Sequence, residues 1–188
     1  MIPLYEAALF LQRFCEERNW PHCFIGGLAV QRWGEPRYTQ DADLTLFTDF
    51  IHDEEYTDAL LAVLLPRRPD AREFALRHRV ILARHANGVS LDIGLGGLPF
   101  ESASIARSSL WHAAEGCHLR TCNAEDLIVH KAFAGRDLDW LDVTRIVQRQ
   151  GRRLNLTLIE RELAPLLALK EEPQNLERLR QIIARHGA

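Results

Sequence analysis

One short stretch of this 188-residue chain constrains its fold more than any other: a glycine pair followed by two aspartates. An apolar run, residues 24–30, contains Gly26 and Gly27 at its centre. This pattern predicts a short strand that ends at the glycines and leads into a helix, because glycine permits unusual dihedral angles and close backbone approach. In the next predicted strand, Asp41 and Asp43 alternate with apolar residues, so both carboxylates leave the same face.

Two carboxylates on one strand face repel each other unless a cation lies between them. Mg²⁺ prefers oxygen ligands and is usually held by one or two carboxylates together with substrate phosphates. The glycine turn also offers N–H groups at a helix N-terminus, where phosphate binds well. Taken alone, Asp-x-Asp is more typical of a solvated strand face. The glycine pair and the Trp33-Gly34-x-x-Arg37-x-Thr39 spacer favour a metal and phosphate site instead.

A third carboxylate is predicted on a later strand. Asn87-Gly88 is a strong hairpin turn signal between strands over residues 80–83 and 89–94. Alternation along the second arm places Asp92 mid-strand on its polar face. If this hairpin lies beside the Asp-x-Asp strand, Asp92 joins Asp41 and Asp43 on one surface. The alternative is a solvent-facing aspartate.

These motifs together resemble the signature of the DNA polymerase β-like nucleotidyltransferase superfamily. That signature is a Gly-Gly or Gly-Ser turn, then Asp-x-Asp, then a third carboxylate on a later strand. The resemblance implies Mg²⁺-dependent transfer of a nucleoside monophosphate from an NTP to an acceptor hydroxyl. It implies two Mg²⁺ ions, with Asp41, Asp43 and Asp92 as metal ligands and catalytic residues. The serine of the family turn is here Gly27, so its hydroxyl contact to phosphate is absent.

The second half of the chain resembles the AbiEii-type nucleotidyltransferase toxins of type IV toxin–antitoxin systems. The resemblance lies in Lys131 followed by Asp139-x-x-Asp142. It implies that Lys131 is catalytic and contacts nucleotide phosphate, that an acidic residue orients the site, and that an antitoxin is a partner. The residues implied to bind the nucleotide are Gly26, Gly27, Arg37, Thr39 and Lys131.

The toxin-like second half favours an RNA acceptor such as the tRNA 3′ end, to which one or a few nucleotides are added without a template. A basic strip of Arg145, Arg149, Arg152 and Arg153 would hold the RNA backbone. The acceptor and turnover itself have alternatives. One is a small molecule, as in the aminoglycoside nucleotidyltransferases. Another is a nucleotide-binding regulatory module without turnover.

The fold class predicted is α/β, a minimal nucleotidyltransferase mixed sheet flanked by helices with a helical C-terminal part. Helices are predicted over residues 3–18 and 54–64, and a last strand over 117–122. Residues 67–72 and the glycines at 94, 96 and 97 are predicted as loops. Four helices are predicted to follow: one from about 124 to 135, then 137–150, 155–169 and 175–185. The domains predicted are an α/β core over 1–122 and a helical part over 123–188 packed on it.

Composition bears on nucleic-acid binding, membrane contact, disulfides and zinc sites. A formal net charge of −3 argues against a broad electrostatic grip on nucleic acid. No apolar run approaches the ~20 residues of a membrane span, and no signal peptide is evident, so a cytoplasmic location without membrane contact is expected. The four cysteines form no Cys-x-x-Cys pair and are expected to be reduced thiols. The eight histidines show no zinc-binding spacing.

Overall fold

A computed structural model describes residues 2–187, which form seven strands and nine α-helices. The strands are β1 (His22–Phe24), β2 (Asp41–Phe47), β3 (Leu65–Pro66), β4 (Val80–Arg84), β5 (Ser90–Gly96), β6 (Ser109–Ala114) and β7 (Cys117–Thr121). The helices are α1 (Pro3–Glu16), α2 (Gly26–Trp33), α3 (Asp53–Leu61), α4 (Ala71–His78), α5 (Pro99–Arg107), α6 (Ala124–Ala134), α7 (Asp137–Gln150), α8 (Leu156–Lys170) and α9 (Gln174–His186). A 3-10 turn, Gly151–Arg153, follows α7.

The strands form one mixed sheet in the order β3-β4-β5-β2-β1-β7-β6. β2 runs parallel to β5 and β1 runs parallel to β7, whereas the other neighbours are antiparallel. Helices precede, interrupt and follow the strands, and from α6 onward only helices are found as far as residue 187. The predicted α/β class, with a mixed sheet and a helical C-terminal part, is confirmed.

The chain divides into two compact units. The first comprises residues 2–28 and 38–121, and the second comprises 29–37 and 122–187. Hydrogen bonds hold the 29–37 segment in the second unit: Trp33 Nε1 donates to the Cys122 carbonyl at 2.8 Å, and Gln150 Nε2 donates to the Trp33 carbonyl at 2.6 Å. The predicted domains, 1–122 and 123–188, put residues 29–37 with the sheet, and that division stays a prediction.

The sheet of the first unit has one apolar face. From Asp41 to Leu44 of β2 and from Ser90 to Leu95 of β5, buried apolar residues alternate with less buried polar or small ones. The buried set packs in one core with apolar residues of α1, α3 and α4, such as Leu11, Leu60 and Ala75. The apolar side chains of β2 and β5 in this core are Ala42, Leu44, Leu46, Leu91, Ile93 and Leu95. The three aspartates therefore occupy the opposite face.

The predicted hairpin at Asn87-Gly88 is confirmed. β4 and β5 pair antiparallel from Arg84 opposite Ser90 onward. Gly88 has φ +92°, and the Asn87 side chain accepts the Val89 N–H, as expected for a turn with a left-handed residue.

Two loop predictions were wrong. Within the predicted loop 67–72, Ala71 already begins α4, a short helix with only Ala71 and Ala75 buried. A charged helix that buries only two alanines lacks the wide apolar stripe from which a helix is predicted in sequence. The second concerns the glycines: Gly94 belongs to the strand, as the predicted bounds 89–94 had it, and Gly96 also belongs to β5 rather than to a loop. Both are paired with β2, opposite Thr45 and Phe47, and such pairing has no sequence signal at a glycine.

The region between β5 and β7 carried no prediction. It forms α5 and β6, and β6 pairs antiparallel with β7 through a bulge between His112 and Ala114. The β6 strand is mostly half-buried or exposed, so its alternation is weak in sequence.

The second unit contains the four predicted C-terminal helices within one or two residues of their expected bounds. Asn123 caps α6 by accepting the Asp126 N–H at 2.7 Å, and Gly135 ends it with φ +72°. Across residues 2–187, none of the helices combines the length and apolar character needed to cross a bilayer. All four cysteines are buried free thiols.

Candidate active site

The Asp-x-Asp strand presents its carboxylates as predicted. Asp41 is exposed and Asp43 is half-buried, whereas Ala42 and Leu44 between and beyond them are buried. The side-chain period of two thus places Asp41 and Asp43 on the face away from the core.

Asp92 lies beside these aspartates. β5 is the parallel neighbour of β2, and the register sets Asp92 directly opposite Asp43 and Ser90 opposite Asp41. Adjacent strands lie about 4.8 Å apart, so three carboxylates share one small area of the sheet. The placement of Asp92 inferred from the hairpin is confirmed; the roles of the three carboxylates stay predictions.

The glycine turn is shaped by contact with Asp43. Gly26 has φ +54°, and a Cβ atom at this position would lie 1.9 Å from Asp43 Oδ2. A Cβ on Gly27 would lie 2.3 Å from Thr39 Oγ1. The Gly27 N–H donates to Asp43 Oδ2 at 3.3 Å, so the start of α2 and the carboxylate strand are hydrogen-bonded directly. Both glycines are required here by close approach.

Asp92 is engaged by a residue that sequence reasoning missed. Its Oδ1 atom accepts a hydrogen bond from Arg67 Nη1, in an ion pair whose side chains are 36% and 28% exposed respectively. The backbone N–H of Arg67 donates to the Leu82 carbonyl of β4. A lone arginine after a proline carries no sequence signal, because its partner lies two strands away in the sheet.

The donor set fits a hard divalent cation by chemistry and by strand register. Carboxylate oxygens are the ligands that Mg²⁺ prefers, and Asp43 and Asp92 are adjacent across the strand pair. Their side-chain rotamers are turned to protein partners, Asp43 to Gly27 and Asp92 to Arg67. Accordingly, no three His, Cys, Asp or Glu side chains within residues 2–187 converge as a metal-ligand group.

Lys131 lies in a buried ionic cluster of the second unit. Its Nζ atom is 2.9 Å from Asp139 Oδ1 and 3.0 Å from Asp142 Oδ2, and the lysine is 6% exposed. Arg37 donates from Nε and Nη2 to the two oxygens of Asp142, both at 2.9 Å. Arg136 donates from Nε to Asp139 Oδ2 at 2.6 Å. The predicted residues Arg37, Lys131, Asp139 and Asp142 are therefore brought together.

The two aspartates of this cluster are held ionised. Burial alone raises the pKa of Asp142, but hydrogen bonds from Arg37 and Lys131 reverse this, so its pKa lies below the ordinary value. Burial acts likewise on Asp139, where Arg136 and Lys131 bring the pKa down. The arrangement favours a structural role for Lys131; its contact with nucleotide phosphate stays a prediction.

The predicted arginine strip is largely used inside the second unit. Arg145 pairs with Glu35 at 2.8 Å, and Arg149 donates to the Gly34 carbonyl. Arg153 donates to the carbonyls of Arg149 and Gln150. Arg152 is exposed and makes no ion pair within residues 2–187. Three of the four arginines thus bind partners within the second unit.

Comparison with known proteins agrees with this fold. No protein-family model matches the chain, and no curated protein matches it in sequence. A solved structure, an antigenic nucleotidyltransferase-like protein from Paracoccidioides brasiliensis, matches with a TM-score of 0.54 at 15% identity, covering 94% of this chain and 92% of that one. The fold is nucleotidyltransferase-like. Two structures of the antibiotic-resistance factor ANT(2'')-Ia also match, one in solution and one in complex with adenylyl-2''-tobramycin. Their TM-scores are 0.47 and 0.44 at 18% and 20% identity, each covering 96% of this chain and 95% of that one.

Proposed function

We propose that the protein is a nucleotidyltransferase that moves a nucleoside monophosphate from an NTP to an acceptor hydroxyl. The observation that carries this proposal is the strand register, which sets Asp92 opposite Asp43 with Asp41 on the same sheet face. Beside them, Gly26 approaches Asp43 and Gly27 approaches Thr39 closely enough to exclude any side chain at either glycine. A metal-ligand set and a helix N-terminus thus occur together.

In the proposed reaction, Asp41, Asp43 and Asp92 would hold two Mg²⁺ ions, which would supply charge neutralisation for the triphosphate and the leaving group. The first turn of α2 at Gly26 and Gly27 binds phosphate oxygens. The acceptor oxygen forms a bond to the α-phosphorus while the bond from that phosphorus to the bridging oxygen breaks and pyrophosphate leaves. The acceptor proton passes to the Asp92 carboxylate, which lies beside Asp43.

A small polar molecule is the acceptor that the residues favour. An RNA end requires a local row of free cations, and three of the four candidate arginines hold Glu35 or backbone carbonyls instead. The net charge of −3 gives no wider attraction for a polyanion. The alternative is a toxin-like enzyme that modifies RNA and has an antitoxin partner, and the test below distinguishes the two acceptors.

The test is pyrophosphate release with each NTP and Mg²⁺ against a panel of hydroxyl acceptors and against total RNA. Asp41→Asn and Asp43→Asn should each lose at least nine-tenths of the activity, on the order of the losses seen when transition-state charge stabilisation is removed. Asp49→Asn is the matched control, because Asp49 is exposed and lies beyond the end of β2. Melting temperature reports folding in each variant.

Three results would change the proposal. Full activity in both strand variants would exclude the metal assignment. NTP binding without transfer to any acceptor would indicate a regulatory module. Labelling of RNA but of no small molecule would move the acceptor to RNA.

A further inference from the structure

The inference concerns Arg67 and rests on the proposed function. Arg67 lies just after β3, and four positions form one row across the sheet. The Arg67 N–H bonds to the Leu82 carbonyl, Leu82 is opposite Asp92, and Asp92 is opposite Asp43. In this row Asp92 lies about two strand spacings from Arg67 and Asp43 about three, with each spacing ~4.8 Å.

The guanidinium reaches across Leu82 to Asp92. Leu82 is half-buried and has no polar side-chain atom to intercept the arginine. The ion pair with Asp92 Oδ1 results. Among the described residues, Asp92 makes no other side-chain hydrogen bond. Its carboxylate is thus held by one cation, and that cation belongs to the protein.

This pairing reduces the electrostatic repulsion among the three carboxylates. Like charges directly opposite on neighbouring strands destabilise a sheet. Asp43 and Asp92 stand in that relation, and Asp41 lies on the same face. Arg67 offsets the repulsion by placing a positive charge on Asp92.

We propose that Arg67 is a positioning residue that occupies Asp92 in place of a divalent cation and is displaced when the metal binds. Arg67 therefore stabilises the metal-free protein and competes with the metal for one carboxylate. The metal affinity then depends on how readily the cation displaces Arg67 from the Asp92 carboxylate. The substrate-bound form has a released guanidinium at the edge of the site.

The test is a titration of the full chain with Mn²⁺ in the absence of nucleotide, with binding measured by electron paramagnetic resonance. Arg67→Gln should lower the Mn²⁺ dissociation constant about two- to fivefold, the range expected for removing one partly exposed ion pair. The same variant should melt at a lower temperature without metal and regain part of the loss with Mg²⁺. Arg67→Lys keeps the charge and should bind Mn²⁺ close to the wild-type value.

Two matched variants separate this exchange from general charge effects. Arg68→Gln breaks an ion pair of the same type, with Asp70, at the neighbouring residue. Arg84→Gln removes a cation from the same sheet face, since Arg84 and Leu82 share a face of β4 and Arg84 is opposite Ser90. Arg68→Gln should leave Mn²⁺ affinity unchanged, and Arg84→Gln should change it less than Arg67→Gln does.

Three outcomes overturn the proposal. If Arg67→Gln binds Mn²⁺ with unchanged or weaker affinity, Arg67 does not compete with the metal, while the proposed function stands. If Arg84→Gln has an equal effect, the field of the face and not the pair is responsible. If wild type and every variant bind no Mn²⁺, the metal assignment in the proposed function fails together with this inference.

Discussion

At the scale of single residues, Gly26 controls how closely the turn approaches Asp43. An alanine Cβ here would lie 1.9 Å from Asp43 Oδ2 and would also adopt φ +54°. We expect Gly26→Ala to displace the carboxylate and to reduce transfer about 10²-fold, the cost of misplacing a reacting group by about 1 Å. Steady-state activity with Mg²⁺ and the preferred NTP measures this.

Gly116 provides the control for backbone strain. It has φ +68°, and a Cβ there meets nothing within 4 Å. Gly116→Ala bears a similar left-handed cost of about 1–2 kcal/mol without the clash, and should keep wild-type activity. Equal activity of the two variants would show that contact with Asp43 is unimportant.

His130 should make the protein sensitive to mild acid. Its burial in α6, with a smaller contribution from Lys131, lowers the pKa from 6.5 to about 4. The unfolded chain binds this proton more readily, so the stabilising contribution is complete above pH 6.5 and is lost as pH falls toward 4. The loss is about 3 kcal/mol.

The measurement is the free energy of unfolding by urea between pH 7 and pH 4. His130→Asn should flatten this dependence, whatever its effect at pH 7. His78→Asn, at an exposed position, should leave it as in wild type. A dependence that is equally steep without His130 would assign the acid sensitivity to other groups.

At the scale of elements, α6 and α7 are joined by the Lys131 cluster. Lys131→Met would leave Asp139 and Asp142 buried with fewer partners, and removing one partner of a buried pair typically costs 3–5 kcal/mol. Because Arg37 and Arg136 remain, we expect the free energy of unfolding without nucleotide to fall by about 3 kcal/mol. The double variant Lys131→Met, Asp139→Asn should regain part of the lost stability, because it no longer buries the Asp139 charge with fewer partners.

Lys170 is the matched lysine. It pairs with Glu172 near the surface, with side chains 32% and 35% exposed, so Lys170→Met should cost less than about 1 kcal/mol. If Lys131→Met is as mild as Lys170→Met but abolishes NTP binding, Lys131 acts on phosphate as the family resemblance implies.

Elements were predictable where a period or a turn motif was strong. The β2 alternation, the Asn87-Gly88 hairpin and the four C-terminal helices follow from local sequence, and so does the side of β5 on which Asp92 lies. The parallel pairing of β2 with β5 was only a condition in that reasoning, because strand neighbours are chosen by tertiary packing. Arg67 was invisible for the same reason: its importance comes from a row across three strands.

At the scale of the whole molecule, the distribution of charge decides whether RNA can be the acceptor. We expect binding to RNA no tighter than the 10⁻⁴–10⁻⁶ M typical of non-specific contact at physiological salt, since Arg145, Arg149 and Arg153 are engaged internally. Fluorescence anisotropy with a labelled tRNA measures this. Arg152→Gln removes the one strip cation with neither an ion pair nor a side-chain hydrogen bond within residues 2–187, and should change affinity little. Nanomolar binding that this variant weakens would contradict the small-molecule choice.

The central claim, nucleotidyl transfer by the three-carboxylate face, is tested most directly by where the label of an NTP goes. Wild-type protein is incubated with Mg²⁺, the acceptor panel and an NTP labelled on either its α- or its γ-phosphorus. The α-label alone should become attached to an acceptor while the γ-label leaves as pyrophosphate, and Asp43→Asn should give neither product. Transfer of the γ-label, or α-label transfer that survives in Asp43→Asn, would contradict it.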